Sequence, residues 1–136
     1  MTAIEQADHG RRTSLKALSA TLRKLHKSLI DLETQRFGAV GTPFDHLQLV
    51  AAHPQFAWIR LLAEVLVELD ERLDDPEEID RDAVAAYRKL IDSLLTPGLE
   101  QQTDFSRKYI AALQASTEVA IAHGALRHLL DRKSVV

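Results

Sequence analysis

Histidine is the residue type through which this sequence would most readily bind a metal ion. A helix brings two ligands to one face only when they lie three or four residues apart, and no two of the six histidines have that spacing. They are His9, His26, His46, His53, His123 and His128. The Glu-x-x-His pattern of di-iron bundles is also absent. The sequence therefore predicts no metal ligand and no cofactor, and a metal site assembled from several helices remains as an alternative.

Motifs for nucleophilic or acid–base catalysis are missing as well. The chain has no cysteine, none of its serines lies in a Gly-x-Ser-x-Gly turn, and no glycine-rich loop is arranged to bind phosphate. Adjacent carboxylates occur at residues 74–75 and 77–78, in a turn before a helix, which is a position typical of helix caps. We therefore expect no catalytic residue and a protein that is not an enzyme.

Two histidines lie next to apolar helix faces. His123 shares a face with Val119 and Leu126, which predicts a core histidine whose imidazole bonds a neighbouring group, with a ligand contact as the alternative. His26 comes one turn after Leu22 and should border the core.

Trp58 and Arg60 open the most apolar segment of the chain. Trp58 is interpreted as a core anchor, and Arg60 is expected to pair with Glu64, four residues along the same helix. If Arg60 points inward instead, Asp31 or Glu118 on a neighbouring helix must supply its carboxylate partner. With two tyrosines that could line a pocket between helices, the candidate ligand or polar-core residues are His26, Asp31, Trp58, Arg60, Tyr87, Tyr109, Glu118 and His123.

The segment from His53 to Leu73 is the element that must position Trp58 and Arg60. Its residues are apolar on nearly every side of a helix, apart from a narrow polar stripe that starts at Arg60. Such a helix must be covered by others, which predicts a central helix opened by Pro54. Leu62 and Leu69 should be among the most buried residues.

A leucine seam marks the first helix. Its leucines recur at steps of three and four from Leu15 to Leu32, the pattern of a bundle helix, and Thr13 or Ser14 is placed to cap it. Residues 1–11 carry no such period and are interpreted as a flexible leader, which leaves residues 12–136 as a single helical domain.

Three further helices follow from capping and breaking residues. Thr42 should cap a short connecting helix over residues 43–52, Asp80 or Asp82 a fourth helix, and Thr103 or Asp104 a long last helix reaching Leu130. No alternating β pattern is present. The sequence thus predicts an all-α protein, a mainly antiparallel bundle of four long helices and one short connecting helix.

Composition limits the partners. The 136 residues carry a formal net charge of -3, and 46% are hydrophobic, so we expect a folded domain that does not bind nucleic acid. The basic residues between Arg11 and Lys27 are interpreted as a solvated helix face. There is no apolar leader of the signal-peptide type, and the polar stripe argues against a membrane span. The predicted location is the cytoplasm.

One group of proteins resembles the first half of this chain. The shared pattern is Leu25-His26-Lys27 with Leu29 and Asp31, then Pro43, then Pro54-x-Phe56-Ala57-Trp58-x-Arg60 with Leu62, and Asp70-Glu71. It resembles a family of small all-helical bacterial proteins of uncharacterised function. The resemblance implies a bacterial, cytoplasmic, single-domain protein, and it brings no catalytic residue with it.

The surplus of apolar surface suggests how the protein works. The leucine seam, the central helix and the alanine-rich last helix exceed what one small chain can cover, which favours a non-enzymatic protein acting through protein–protein contacts, as a homodimer or with an unknown partner. The alternative is a small-molecule binding protein with a pocket between helices near Trp58. An enzyme or metal protein assembled across helices is the third possibility.

Overall fold

The computed structural model describes residues 2–38, 41–96 and 103–132. Within those ranges the chain is all-helical, with no β-strand, which confirms the predicted fold class. The described ranges contain six α-helices and one 3₁₀ helix, where the sequence predicted five helices. They are α1 (Ala3–Phe37), α2 (Pro43–Ala52), the 3₁₀ helix Pro54–Ile59, α3 (Arg60–Asp74), α4 (Arg81–Leu95), α5 (Asp104–Ala115) and α6 (Thr117–Asp131).

Helix α1 begins at Ala3, eleven residues before the start that a cap at Thr13 predicts. Thr2 and Glu5 form a reciprocal capping box, so residues 3–11 are helical and not an irregular leader, and neither Thr13 nor Ser14 is the cap. Long-range bonds explain the difference, because Asp8 accepts a hydrogen bond from the backbone N–H of Ile79 at 2.7 Å. The sequence prediction of this helix relies on hydrophobic periodicity, which residues 3–11 lack. Polar contacts hold these residues in place instead. Residues 133–136 of the predicted domain lie outside the described ranges.

Arg12 and Arg11 also hold this end of α1 in place, through hydrogen bonds to backbone carbonyls. The guanidinium of Arg12 donates to the backbone carbonyls of Leu73, Asp75 and Glu77 in the connection between α3 and α4. Arg11 donates to the carbonyl of Ile79, the last buried residue of that connection. The interpretation of this basic run as a purely solvated face is therefore wrong for these two residues.

The leucine seam of α1 is confirmed as the centre of the core. Five seam leucines are at most 1% exposed, and α1 packs against both α6 and α3. The helix ends at Gly38, whose φ is 101°. Glycine adopts such a positive φ readily because it has no Cβ, whereas other residues are strained there. The five are Leu15, Leu18, Leu22, Leu25 and Leu29.

The predicted central helix is two elements. Residues 54–59 form a 3₁₀ helix, at whose start the imidazole Nδ1 of His53 accepts the N–H of Gln55, and α3 starts only at Arg60. Leu62 and Leu69 are both fully buried, as predicted.

The predicted long last helix is broken at Ser116. Its backbone is extended (φ −133°, ψ 122°), and its hydroxyl accepts a hydrogen bond from the N–H of Val119 and so caps α6. A helix start signal was present in the sequence, a serine followed by Thr117 and the acidic Glu118, but it lay inside a continuous apolar pattern. The single helix to Leu130 is therefore wrong, and α5 and α6 can cross each other at an angle.

The remaining caps follow the sequence. Thr42, Asp80 and Thr103 each accept a hydrogen bond from a backbone N–H of the helix that they precede, and Thr42 forms a full capping box with Asp45. The short connecting helix over residues 43–52 is confirmed as α2. Among the described helices, none has both the length and the apolar character required to cross a bilayer.

Candidate functional site

Helix α2 is held against the end of α1 by polar and aromatic contacts. The imidazole Nε2 of His46 lies 2.9 Å from Oγ1 of Thr34, and the ring of His53 meets that of Phe37 edge-on, with centroids 5.0 Å apart. Pro43 at the first turn and the capping box at Thr42 stabilise the helix itself. α2 is thus a formed helix in a defined position.

The apolar side chains of α2 point mostly away from the core. No residue of this helix is buried, and Phe44 and Leu47 are 63% and 64% exposed. Leu49 and Val50, on the inner side, are half-buried against the core. The outer face of α2, defined as Phe44, Leu47, Gln48 and Ala51, has the i, i+3, i+4, i+7 spacing that normally faces a partner helix. All four of its members are exposed and uncharged.

A buried carboxylate joins α1 to the 3₁₀ helix beside α2. Glu33 is 6% exposed, and its two carboxylate oxygens accept from Arg36 at 3.0 Å and from the amide of Gln55 at 3.0 Å. The same amide nitrogen also bonds the backbone carbonyl of Glu33. A charge that is paired and bonded in this way is a structural link, which pins the chain before and after α2.

Three of the predicted site residues come together in one aromatic row. Trp58 packs on Phe105 with centroids 5.7 Å apart, Phe105 stacks on Tyr109 at 5.6 Å, and Tyr109 meets His123 at 5.7 Å. Trp58 is 7% exposed, which confirms it as a core anchor.

His123 is half-buried at the edge of the core, and it has a hydrogen-bond partner, as predicted. The hydroxyl of Tyr109 and Nδ1 of His123 are 2.7 Å apart, so each satisfies the other. Burial lowers the pKa of His123, and the nearby Arg127 adds to this, while burial raises the pKa of Tyr109 well above its usual range. The pair is therefore neutral at pH 7, and it has the character of a structural hydrogen bond.

Arg60 does not form the pairs expected for it. Its Nη2 donates to the backbone carbonyl of His53 at 3.2 Å, so the guanidinium turns back over the 3₁₀ helix and does not run along α3 toward Glu64. Within the described residues it forms no ion pair with Glu64, Asp31 or Glu118, and its buried Nε has no hydrogen-bond partner. Side chains on a helix lean toward its N-terminus, so Arg60, the first residue of α3, reaches back toward the carbonyl of His53.

The other candidate residues lie apart from the aromatic row. His26 borders the core as expected, and burial lowers its pKa, with Arg23 contributing. Asp31 binds Lys27 at 3.3 Å. Tyr87 is half-buried on α4, where burial raises its pKa, and Glu118 is exposed in the first turn of α6.

Two concave surfaces accompany these features. A shallow hollow of about 390 Å³ lies between α2 and the 3₁₀ helix, and a groove of about 900 Å³ lies between α1, α4 and α6. Trp58 lines neither of them. Sequence reasoning missed the groove because its lining comes from three helices that are far apart along the chain.

The described residues thus define an all-helical protein with an aromatic core row, an exposed apolar helix and an arginine-lined groove. In the part of the chain that the structure describes, no group of three or more His, Asp or Glu side chains is placed to hold a metal ion. Comparison of the chain with protein-family models, with curated proteins and with solved structures gave no match.

Proposed function

We propose that this protein works through protein–protein contacts and not as an enzyme, and that it is a homodimer in which the outer faces of α2 from two copies pack together. One observation carries the proposal: α2 is a capped, well-positioned helix with no buried residue, and its largest apolar side chains, Phe44 and Leu47, point outward. A helix with this pattern is stabilised when a partner covers it.

The outer face is suited to a contact with itself. A two-fold axis near Leu47 and Gln48 would set two α2 helices antiparallel, with Phe44 of one copy opposite the small Ala51 of the other, so that large and small side chains alternate. The face carries no charge, so self-association brings no like charges together.

The size of the face indicates a reversible dimer. Completing the burial of Phe44 and Leu47 in both copies contributes about 4 to 8 kcal/mol, since full burial of such a side chain is worth about 1.5 to 3 kcal/mol and nearly two-thirds of each remains exposed. Association costs at least about 4 kcal/mol. The difference is at most about 4 kcal/mol, which corresponds to a dissociation constant of about 1 mM. These two side chains alone therefore support only a weak dimer, and dimers at high micromolar concentration require further contacts around the outer face of α2.

The test is sedimentation equilibrium of the full chain over a wide concentration range. Leu47→Glu should abolish the concentration-dependent rise in mass, because it places two carboxylates in the contact. Ile121→Glu is the matched control, as Ile121 is 68% exposed on α6 and lies outside the outer face of α2. A strictly monomeric parent protein at high micromolar concentration, or an equal effect of both variants, contradicts the proposal.

A small-molecule site near Trp58 is the second candidate. The buried Nε of Arg60, which has no hydrogen-bond partner among the described residues, favours it, because a buried donor of this kind is suited to an acceptor on a ligand. Trp58 is the only tryptophan, so a metabolite that binds there shifts its emission. A panel of small acids that changes neither emission nor melting temperature counts against the site.

The cellular setting belongs to the same proposal. A bacterial and cytoplasmic protein is supported by the resemblance of the first half of the chain and by the absence of cysteine. A mainly antiparallel bundle is supported by the short connections from α3 to α4 and from α5 to α6.

A further inference from the structure

The groove between α1, α4 and α6 combines an apolar floor with a basic rim. The apolar part of its lining, here called the floor, consists of small and aliphatic side chains, namely Ala7, Ala17, Leu18, Val84, Ala85 and Leu129. The lining also includes the polar Gln6, Thr13 and Ser14, and Gly10 leaves further space. The volume of about 900 Å³ is in the range of cavities that hold small organic ligands. The groove shares no helix with the outer face of α2.

The charge of the groove is opposite to that of the whole chain. Among the described residues, four arginines and no acidic residue line it, whereas the protein as a whole has a formal net charge of -3. They are Arg11, Arg81, Arg88 and Arg132. Arginine is the residue best suited to bind carboxylates and phosphates, because its planar fork donates two parallel hydrogen bonds.

Arg11 is already bonded to the carbonyl of Ile79 and paired with Glu78 at 3.8 Å, but the other three arginines keep donors for a ligand. Arg88 uses Nη2 to bond the carbonyls of Leu129, Leu130 and Arg132, and within the described residues its Nε and Nη1 form no hydrogen bond. This arrangement fixes the guanidinium at the end of α6 and leaves two of its three nitrogens for an acceptor.

Two of the rim arginines have no structural task among the described residues. The side chains of Arg81 and Arg132 form neither a hydrogen bond nor an ion pair there, and both residues are exposed. Like charges gathered on one rim repel each other, and a bound anion would relieve that repulsion.

We propose that this groove binds a single-chain amphiphile with an anionic head group, its apolar chain on the floor and its head on the arginine rim. The floor supplies the length, because Ala7 and Leu18 are eleven residues apart on one helix, a span of about 16 Å, which accommodates an alkyl chain of medium length. The head group is a carboxylate or a phosphate, since both match the guanidinium fork.

The probe is dodecanoate, titrated into the full chain by calorimetry below the concentration at which it forms micelles. The proposal expects saturable binding with one site per chain. Dodecyl phosphate distinguishes the two head groups, and whichever binds more tightly identifies the natural one. Dodecyltrimethylammonium has the same tail and a positive head. Equal binding of this cation, no binding of either anion, or binding only to vesicles of anionic lipid overturns the proposal.

Two glycines provide a matched pair of variants. Gly10 lines the groove and Gly124 lies on α6 outside its lining, and a Cβ added to either meets no atom within 4 Å. Leucine is a better helix former than glycine, so Gly10→Leu and Gly124→Leu should both fold. Gly10→Leu fills the groove and should weaken dodecanoate binding at least tenfold, while Gly124→Leu should leave it unchanged. Equal affinities for both variants overturn the proposed location.

The charge requirement is tested in the same way. Arg81→Gln should weaken dodecanoate binding about tenfold, the value of one charge-assisted hydrogen-bonded pair. Arg107→Gln removes the same charge from α5, outside the groove lining, and should have little effect. If the two substitutions weaken binding equally, the rim does not bind the head group. This titration is independent of the dimer test, because neither variant alters α2.

Discussion

Replacing Arg12 by glutamine should lower the free energy of unfolding by at least about 2.5 kcal/mol, the value of its three bonds to backbone carbonyls, because its ion pair with Asp8 at 2.9 Å is lost as well. Its guanidinium bonds three carbonyls of the connection between α3 and α4, one part-buried, at Leu73, and two exposed, at Asp75 and Glu77. A part-buried bond from a charged donor contributes about 1.5 kcal/mol and each exposed bond about 0.5 kcal/mol. This loss of stability is large for Arg12, because the sequence predicts that the residue belongs to a solvated basic run.

The assay is urea denaturation at pH 7, followed by far-ultraviolet circular dichroism. Lys24→Gln is the control, because Lys24 is exposed on the same helix and makes no bond among the described residues, so its removal should change stability by less than about 0.5 kcal/mol. A second measurement localises the effect: a protease that cleaves after glutamate should cut at Glu77 and Glu78 faster in Arg12→Gln than in the control. Equal stabilities and equal cleavage rates would refute the reasoning.

Two further predictions concern the core. Leu69→Ala should lower the free energy of unfolding by about 2 to 5 kcal/mol because Leu69 is fully buried. Val67→Ala on the same helix should lower it by less than about 0.5 kcal/mol because Val67 is 56% exposed. Equal losses of stability in denaturant unfolding would contradict the packing of α3. The lowered pKa of His123 means that the unfolded chain binds more protons than the folded protein as the pH falls through the ordinary value of 6.5. Stability should therefore decrease as the pH falls from about 7 to about 5, and a series of melting curves should show a smaller decrease for His123→Gln than for the parent protein. If both proteins show the same pH dependence, the imidazole is not neutral in the fold.

Local signals in the sequence predicted much of the fold. Some features depend only on residues within a few positions of one another, so they can be recognised from the sequence alone. They are the leucine seam from Leu15 to Leu29 and the caps Thr42, Asp80 and Thr103. The same holds for His123, whose place on an apolar face predicts burial and a partner.

Helix interruptions and helix starts were less predictable. The break at Ser116 lies within a continuous apolar pattern, and the apolar period alone favours one helix over two. The early start of α1 depends on Asp8 and Arg12, whose partners lie more than sixty residues away. A polar segment of this kind has no local sign that it will be ordered.

The sequence by itself determined the helical class, the core leucines and most helix ends, because these follow from spacing and capping along a short stretch of chain. Only the tertiary structure decided where α2 exposes Phe44 and Leu47, where Arg60 points and which arginines share a groove. These features depend on how helices distant in the chain cross one another. The angle at which two helices cross is set by the packing of whole helix faces. A single sequence shows which residues make up each face, but it does not show which other face they contact.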